Sequence, residues 1–88
     1  LRMDPQRTYI RGYLGWVLTS QQLFPEAEAE FRERVRLTPS DSHSLFGLGN
    51  ALWLQKNLAE AETAFRESIR LEPNFHHAHS LLGWTLVE

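Results

Sequence analysis

The feature that most constrains the fold of this 88-residue chain is a sequence repeat of fixed period. The segments VRLTP at 35–39 and IRLEP at 69–73 are near copies, LRMDP at 1–5 begins the series, and the three prolines recur every 34 positions. When residues 5–38 are laid over 39–72, 13 of the 34 positions are identical. Average composition would give about two. A fixed period of this length indicates a repeat architecture, in which stacked units share one interior.

The period divides the chain into two whole units and a half. We expect the end of a preceding repeat at 1–5, repeat 1 at 5–38, repeat 2 at 39–72, and the first helix of repeat 3 at 73–88. Neither end carries the polar capping segment that terminal repeats need. We therefore expect a single domain that is part of a longer array, with apolar ends that favour self-association.

Each unit is predicted to form two helices. In DSHSLFGLGNALWLQ the apolar residues recur with a helical period, and Ser40 or Asp41 is a natural N-cap. In LAEAETAFRESIRL they lie on one stripe, and Asn57 with Glu60 resembles a capping box. Early glutamates and late arginines complement the helix dipoles, and proline ends each unit. The predicted fold is all-α, with helices near 8–20, 25–37, 42–55, 58–71 and 76–88.

These residues resemble the tetratricopeptide repeat (TPR), a 34-residue helix–turn–helix unit with a leucine–glycine pair in its first helix, followed by alanine, phenylalanine and proline. The resemblance implies a right-handed α-solenoid of antiparallel helix pairs, an α-α superhelix. Glycine and alanine let the paired helices approach closely, and phenylalanine fills the space between them. The positions that carry the repeat signature are Leu14, Gly15, Ala27, Phe31, Pro39, Leu48, Gly49, Ala61, Phe65, Pro73, Leu82 and Gly83.

One position departs from the family pattern. Arg34 stands where the family has a small residue and where repeat 2 has Ser68. We expect the stem of Arg34 to cover apolar surface while its charged group stays in water. The packing between repeats 1 and 2 is then expected to be looser than usual.

The resemblance also implies where a partner binds. In this family the first helices of the units line a concave groove that holds an extended peptide or a partner helix. All three tryptophans fall at groove positions, and rigid aromatic side chains on an open face are typical recognition anchors. The alternative for each is packing against a neighbouring helix. The predicted groove residues are Tyr9, Trp16, His43, Phe46, Asn50, Trp53, His77 and Trp84.

Composition and groove chemistry narrow the class of partner. A formal net charge of −2 gives no electrostatic footprint for nucleic acid or an anionic membrane. One subset of the family holds the acidic C-terminal tails of chaperones with lysine, asparagine and arginine side chains. Carboxylate capture needs charged donors, so we expect an apolar or amphipathic peptide or helix instead. No lysine or arginine stands at the matching positions, which are Gly12, Trp16, Gly47, His77 and Leu81.

No catalytic, metal or cofactor site is predicted. The residues DSHS at 41–44 include aspartate, histidine and serine, but consecutive helical residues do not converge on one substrate atom. His76 and His79 lie three residues apart, yet no acidic residue or cysteine beside them completes a metal site. The residues GLG at 47–49 lie inside a helix, which excludes a phosphate-binding loop. We expect neither enzyme activity nor a cofactor.

The sequence favours a protein-interaction module or scaffold, and two alternatives stay open. One is a structural spacer or self-association segment that contacts mainly neighbouring repeats or a second copy. The other is a non-catalytic repeat region of a larger enzyme. No signal-peptide core or transmembrane-length apolar run is visible, and cysteine is absent. The compartment is left unknown, with the cytoplasm favoured.

Overall fold

A computed structural model describes residues 14–87, which form five helices and, over that range, no strands. The predicted all-α fold is confirmed, and the described helix ends agree with the predicted ones to within one residue. Residues 8–13 of the first predicted helix lie outside the described part. The helices are α1 at 14–20, α2 at Phe24–Leu37, α3 at Ser42–Leu54, α4 at Leu58–Leu71 and α5 at His76–Val87.

The starts of α3 and α4 differ in how the first backbone N–H groups are satisfied. Asp41 caps α3, because one of its carboxylate oxygens accepts a hydrogen bond from the backbone N–H of His43 at 3.1 Å. The capping box predicted at Asn57 is wrong. The Asn57 side chain accepts no capping hydrogen bond; its amide nitrogen instead donates to Glu60 Oε1 at 2.5 Å. The side chain is therefore turned toward the carboxylate.

The turns within each helix pair have the same backbone geometry. Gln22 and Lys56, which lie one repeat period apart, have positive φ angles of 64° and 66°. Each turn is closed by a 2.9 Å backbone hydrogen bond, from Leu23 N–H to the Leu18 carbonyl and from Asn57 N–H to the Leu52 carbonyl. The sequence period is thus repeated in the backbone. The division of the chain at the predicted repeat boundaries remains a prediction.

Two phenylalanines fill the space between the helices, and glycines make room for them. A Cβ atom on Gly49 would lie 2.6 Å from the Phe65 ring, and one on Gly15 would lie 2.7 Å from the Phe31 ring. A Cβ atom on Gly47 would lie closer still to the Phe31 ring. Residues two apart on a helix point about 200° apart. The two glycines of α3 therefore receive one ring on each side, from α2 and from α4.

The helices stack in chain order. α3 packs against α2 and α4, and α4 packs against α5. A contact between α3 and α5 places the first helices of the units in one layer, with α2 and α4 in the other. The shared core is almost wholly alanine, leucine and phenylalanine. This arrangement is a helical solenoid, as the sequence predicts.

The expectation for Arg34 is wrong. Its side chain is only 13% exposed, and its Nη2 atom lies 2.9 Å from Asp41 Oδ2. Its Nε atom donates to Asp41 Oδ2 at 3.1 Å and to Ser44 Oγ at 3.2 Å. Burial raises the pKa of Asp41, but hydrogen bonds from Arg34 and Ser44 outweigh it, so the pKa lies below its usual value. The charged group of Arg34 therefore closes the junction between α2 and α3, where the sequence predicted loose packing.

Candidate functional site

Charge is divided between the two layers of helices. The segments 14–20, 42–54 and 76–87, which form α1, α3 and α5, contain no Asp, Glu, Lys or Arg. All the charged residues of the described helices lie on α2 and α4. Histidine is therefore the only ionisable residue type on the described parts of α1, α3 and α5, and the Glu72 carboxylate, which follows α4, lies beside His43.

A group of rings that we call the hub cluster joins the three uncharged helices. Phe46 of α3 lies at its centre, with its ring centroid 5.7 Å from Trp16, 4.9 Å from Phe75 and 6.2 Å from His77. The His43 ring lies 4.6 Å from Phe75. Separations of this size are typical of stabilising aromatic contacts. The hub cluster is Trp16, His43, Phe46, Phe75 and His77.

A second contact, which we call the tryptophan pair, lies farther along the same helices. The rings of Trp53 on α3 and Trp84 on α5 lie 5.9 Å apart. Trp84 is 60% exposed and Trp16 of the hub cluster is 37% exposed, whereas Phe46 and Trp53 are half-buried. The rings hold one another in place and still present surface to solvent.

Asn50 lies on α3 between the hub cluster and the tryptophan pair. It is four residues after Phe46 and three before Trp53, which places all three on one side of the helix. Asn50 is half-buried, and its side-chain amide makes no hydrogen bond to any part of the chain that the structure describes. Tyr9, the remaining predicted groove residue, lies outside the described residues.

Comparison with known proteins agrees with this geometry. The sequence model of the family described as tetratricopeptide repeat matches residues 14–75. The chain belongs to the tetratricopeptide repeat family. The resemblance stated from the sequence is thereby confirmed.

Among solved structures, this TPR chain is similar to one titled "First TPR of Spaghetti (RPAP3) bound to HSP90 peptide SRMEEVD". The TM-score is 0.86 at 23% sequence identity, over 93% of this chain. The TPR chain spans 65% of the length of that structure's chain. At this identity the likeness shows the fold alone. No curated protein sequence matches the TPR chain.

Sequence reasoning missed Phe75 as part of this surface of the TPR chain. Phe75 is only 6% exposed and occupies the position before α5 at which Asp41 precedes α3. The sequence did hold one signal for this role. Phe75 stands one repeat period after Asp41, so an aromatic residue replaces an N-cap aspartate at the start of α5. Phe75 lies beneath the exposed His43 and His77 and supports them.

Gly47 is one of the positions that the sequence analysis matched to the carboxylate-binding subset of the family, and it was not predicted as a groove residue. It is buried against the Phe31 ring and so contributes no surface. Of the other positions that the sequence analysis matched to that subset, Trp16, His77 and Leu81 lie within the described residues, and none is lysine or arginine.

The histidines of the TPR chain are spread over several environments. His43 Nε2 lies 3.6 Å from Glu72 Oε1, and that oxygen also accepts a hydrogen bond from Ser42 Oγ at 2.6 Å. His79 Nε2 lies 2.8 Å from the Pro73 carbonyl oxygen. Over residues 14–87, no three His, Asp or Glu side chains come together in a way that could hold a metal ion. In the same range, no helix has the length and apolar character needed to cross a bilayer.

Proposed function

We propose that this TPR chain is a protein-interaction module that binds an apolar peptide or an amphipathic helix across α1, α3 and α5. The supporting observation is that the rings of the hub cluster and the tryptophan pair lie on α1, α3 and α5 or, for Phe75, just before α5, and that the described parts of these helices contain no Asp, Glu, Lys or Arg. Aromatic surface of this kind gains free energy when a partner removes it from water. The predicted groove residues Trp16, His43, Phe46, Asn50, Trp53, His77 and Trp84 are the proposed contacts.

The proposed mechanism is burial of aromatic anchors on a surface that is already formed. The ring contacts of Phe46 fix its neighbours before the partner arrives, so less side-chain entropy is lost on binding. The Asn50 amide is placed to donate to, and accept from, one peptide group of the ligand, which sets the register. Stacked rings and one amide offer binding and no chemistry, and the proposed function is non-catalytic.

The ligand class is proposed from charge. The similar solved TPR holds the peptide SRMEEVD, which shows that this fold can hold a peptide and supports the same role here. That peptide is acidic toward its C-terminal end, whereas Trp16, His77 and Leu81 occupy the matching positions of this chain. We therefore infer that the ligand is an apolar peptide or the apolar face of an amphipathic helix, and not an acidic tail.

A peptide-library screen read by intrinsic tryptophan fluorescence tests this function. With the best-binding peptide, Trp16→Ala and Trp53→Ala should each weaken binding by about thirtyfold, the loss typical of a hot-spot residue. Arg66→Ala on α4 is the control and should leave the affinity unchanged. Far-ultraviolet circular dichroism checks that each variant is folded. Unchanged affinity in both tryptophan variants would contradict the proposed site.

Self-association is a second candidate function, which one observation favours. Leu86 and Val87 on α5 are 55% and 86% exposed. Among the described residues, nothing lies within 4 Å of the place where a Cβ on Gly83 would be, whereas Gly15 and Gly49 are covered by phenylalanine rings. Sedimentation velocity over a dilution series tests it. A dimer that persists on dilution with its tryptophans shielded would favour self-association over peptide binding.

A further inference from the structure

A cavity of about 310 Å³ lies between α2 and α4, on a side of the molecule different from the hub cluster. Its floor is formed by Leu45, Leu48 and Leu52 of α3, and Thr63 and Ala64 of α4 form one wall. At about 100° per residue, the floor leucines point well away from Phe46, Asn50 and Trp53 on the same helix. We call this cavity the leucine cleft.

The leucine cleft has the size and lining of a small binding site. Ligand sites in proteins begin at about 300 Å³ and are mostly apolar, with a few polar groups at the edge. The short side chains of Thr63 and Ala64 leave space above the leucines, whose remaining exposed fractions are 7% at Leu45, 8% at Leu48 and 2% at Leu52. An apolar group that entered would pack on this strip of leucine surface and on Thr63.

At one end of the leucine cleft, two carboxylates lie beside a single guanidinium group. The Arg32 guanidinium lies 2.7 Å from Glu28 Oε2 and 3.4 Å from Glu60 Oε2, so two carboxylates share one cation. Gln55 Nε2 also donates to Glu28, at 2.8 Å. Burial raises the pKa of Glu28, but the hydrogen bonds from Arg32 and Gln55 outweigh it and lower the pKa overall. This end of the cleft therefore carries an excess negative charge.

Glu60 and Glu67 both line the cleft, and Glu60 is the carboxylate at this end that a ligand can reach. Its side chain is 55% exposed, and its contact with Arg32 is the longer of the two that Arg32 makes. A cation that paired with Glu60 would leave Arg32 with its closer partner, Glu28. Asn57 Nδ2 donates to the other oxygen of Glu60 and holds the carboxylate at the edge of the cleft.

We propose that the leucine cleft is a second binding site, which takes a basic amphipathic segment of a partner protein. Two apolar side chains of that segment lie on Leu45, Leu48 and Leu52, and a lysine or arginine pairs with Glu60. The floor runs along two turns of α3, or about 10 Å, which is the distance between apolar side chains two helical turns apart. This site selects a cationic segment, whereas the described parts of α1, α3 and α5 contain no carboxylate and have Glu72 beside them only at His43.

The probes are two short blocked peptides, one with leucines around a central lysine and one with glutamate in place of the lysine. Each is titrated to millimolar concentration into the full chain, with methyl resonances of the leucines and indole N–H resonances of the tryptophans recorded by NMR. The lysine peptide should shift the methyl resonances of Leu45, Leu48 and Leu52, and the glutamate peptide should not. Shifts of the Trp16 and Trp53 indole resonances report separate binding at the aromatic surface and should not depend on whether the peptide carries lysine or glutamate.

Two matched pairs of variants separate the cleft from the rest of the surface. Thr63→Phe places a ring in the mouth of the cleft and should weaken binding of the lysine peptide at least about tenfold, since it removes the space for both apolar side chains. Its control is Ala29→Phe, at the exposed position one repeat period earlier on α2. Glu60→Gln should weaken binding about two- to fivefold, the range of an exposed ion pair, and Glu26→Gln is its control.

Several results would overturn the proposal. Equal shifts from both peptides would show that charge plays no part. Shifts confined to the indoles would place the peptide at the hub cluster. Methyl shifts that change with protein concentration alone would show that a second copy of the chain fills the cleft. Absence of any methyl shift, or equal losses in a variant and its control, would show that the cleft binds nothing of this class.

Discussion

The junction between α2 and α3 and the junction between α4 and α5 have the same backbone and different side-chain chemistry. At the first, Thr38 N–H donates to the Arg34 carbonyl at 2.8 Å; at the second, Glu72 N–H donates to the Ser68 carbonyl at 2.9 Å. The two hydrogen bonds lie one repeat period apart. The side chains that close each junction are unlike.

The first junction is polar. Arg34, Asp41 and Ser44 form one hydrogen-bonded network across it, with side chains of Arg34 and Asp41 that are mostly buried. Asp41 also caps α3. We call this set the polar junction.

The second junction is largely apolar. The residues one repeat period later are Ser68, Phe75 and Ala78, and all three are buried. The hydroxyl of Ser68 donates back to the Ser42 carbonyl at 2.8 Å, which satisfies the only polar side chain of the three. We call this set the apolar junction.

The repeat therefore specifies the backbone path, and side chains at equivalent positions of the two junctions can differ in chemistry and in role. The three residues of the polar junction lie outside the hub cluster, although Asp41 accepts a hydrogen bond from the backbone N–H of His43. Phe75 of the apolar junction also contacts His43 and Phe46. It therefore stabilises the fold and supports the proposed binding surface together.

The largest effect is expected at the apolar junction. Phe75→Ala should lower the free energy of unfolding by about 3–5 kcal/mol, the usual cost of truncating a buried phenylalanine. It should also weaken binding at the hub cluster, because His43 and Phe46 lose their support. Urea denaturation and the fluorescence titration measure the two effects. Phe75→Leu, which keeps most of the volume, should cost less than about 1.5 kcal/mol. A loss from the alanine variant no larger than the loss from the leucine variant would mean that Phe75 is not an anchor of the junction.

A smaller effect is expected at the polar junction. Arg34→Ala should lower the free energy of unfolding by about 1.5–3 kcal/mol, because it removes hydrogen bonds to a half-buried carboxylate. Arg66→Ala breaks the exposed pair with Glu62 and should cost about 0.5 kcal/mol or less. Peptide affinity at the hub cluster should be unchanged in both. Equal losses in the two variants, or a loss of peptide affinity in Arg34→Ala, would break the distinction between the junctions.

The pH dependence of stability should report the polar junction. The pKa of Asp41 is below its usual value of about 4. Its contribution to stability is therefore complete above about pH 4 and is lost as the pH falls through the lowered pKa. Asp41→Asn keeps a capping side chain and should unfold with a shallower pH dependence in the acid range. Glu26→Gln, an exposed carboxyl on α2, is the control. An identical pH profile for Asp41→Asn and the unmodified chain would contradict this assignment.

The smallest effect is expected at the turns, where the two units agree. Gln22 and Lys56 both have positive φ, which costs a residue with a Cβ atom about 1–2 kcal/mol. Gln22→Gly and Lys56→Gly should each raise the midpoint of thermal unfolding, with a net gain of about 0.5–1 kcal/mol after the entropy cost of glycine. Ser20→Gly, at a helical position, should lower the midpoint. Gains in the free energy of unfolding that differ between Gln22→Gly and Lys56→Gly would show that the two turns are not energetically equivalent.

The sequence predicts the backbone of this chain well and its contacts only in part. The period and the helix signals place α2 to α5 to within one residue, and Phe31 and Phe65 lie in the core as the signature implies. The pairing of Arg34 with Asp41 was missed because it depends on the geometry of the turn between α2 and α3. Helix propensities and capping patterns describe single helices and not the geometry between them. Asn57 was misread since a nearby carboxylate competes for its side chain.

The candidate site is predictable in its residues and not in its shape. The positions of Trp16, Phe46 and His77 on their helices follow from the repeat. The packing of these rings around Phe46 also involves Phe75, which precedes α5 and was not predicted. The leucine cleft has no signature in the sequence. It arises because Thr63 and Ala64 are too short to fill the space above the leucines, and an unfilled volume becomes visible only once the helices are packed.

The location of the proposed binding surface is tested most directly by titrating the best-binding library peptide into the whole chain and recording NMR spectra at each step. We expect the indole N–H resonances of Trp16 and Trp53 to shift together and to give the same dissociation constant. The backbone amides of α2 and α4 should stay largely in place. Shifts concentrated on α2 and α4, with the indoles unmoved, would contradict the claim that the uncharged aromatic surface of α1, α3 and α5 is where this chain binds its partner.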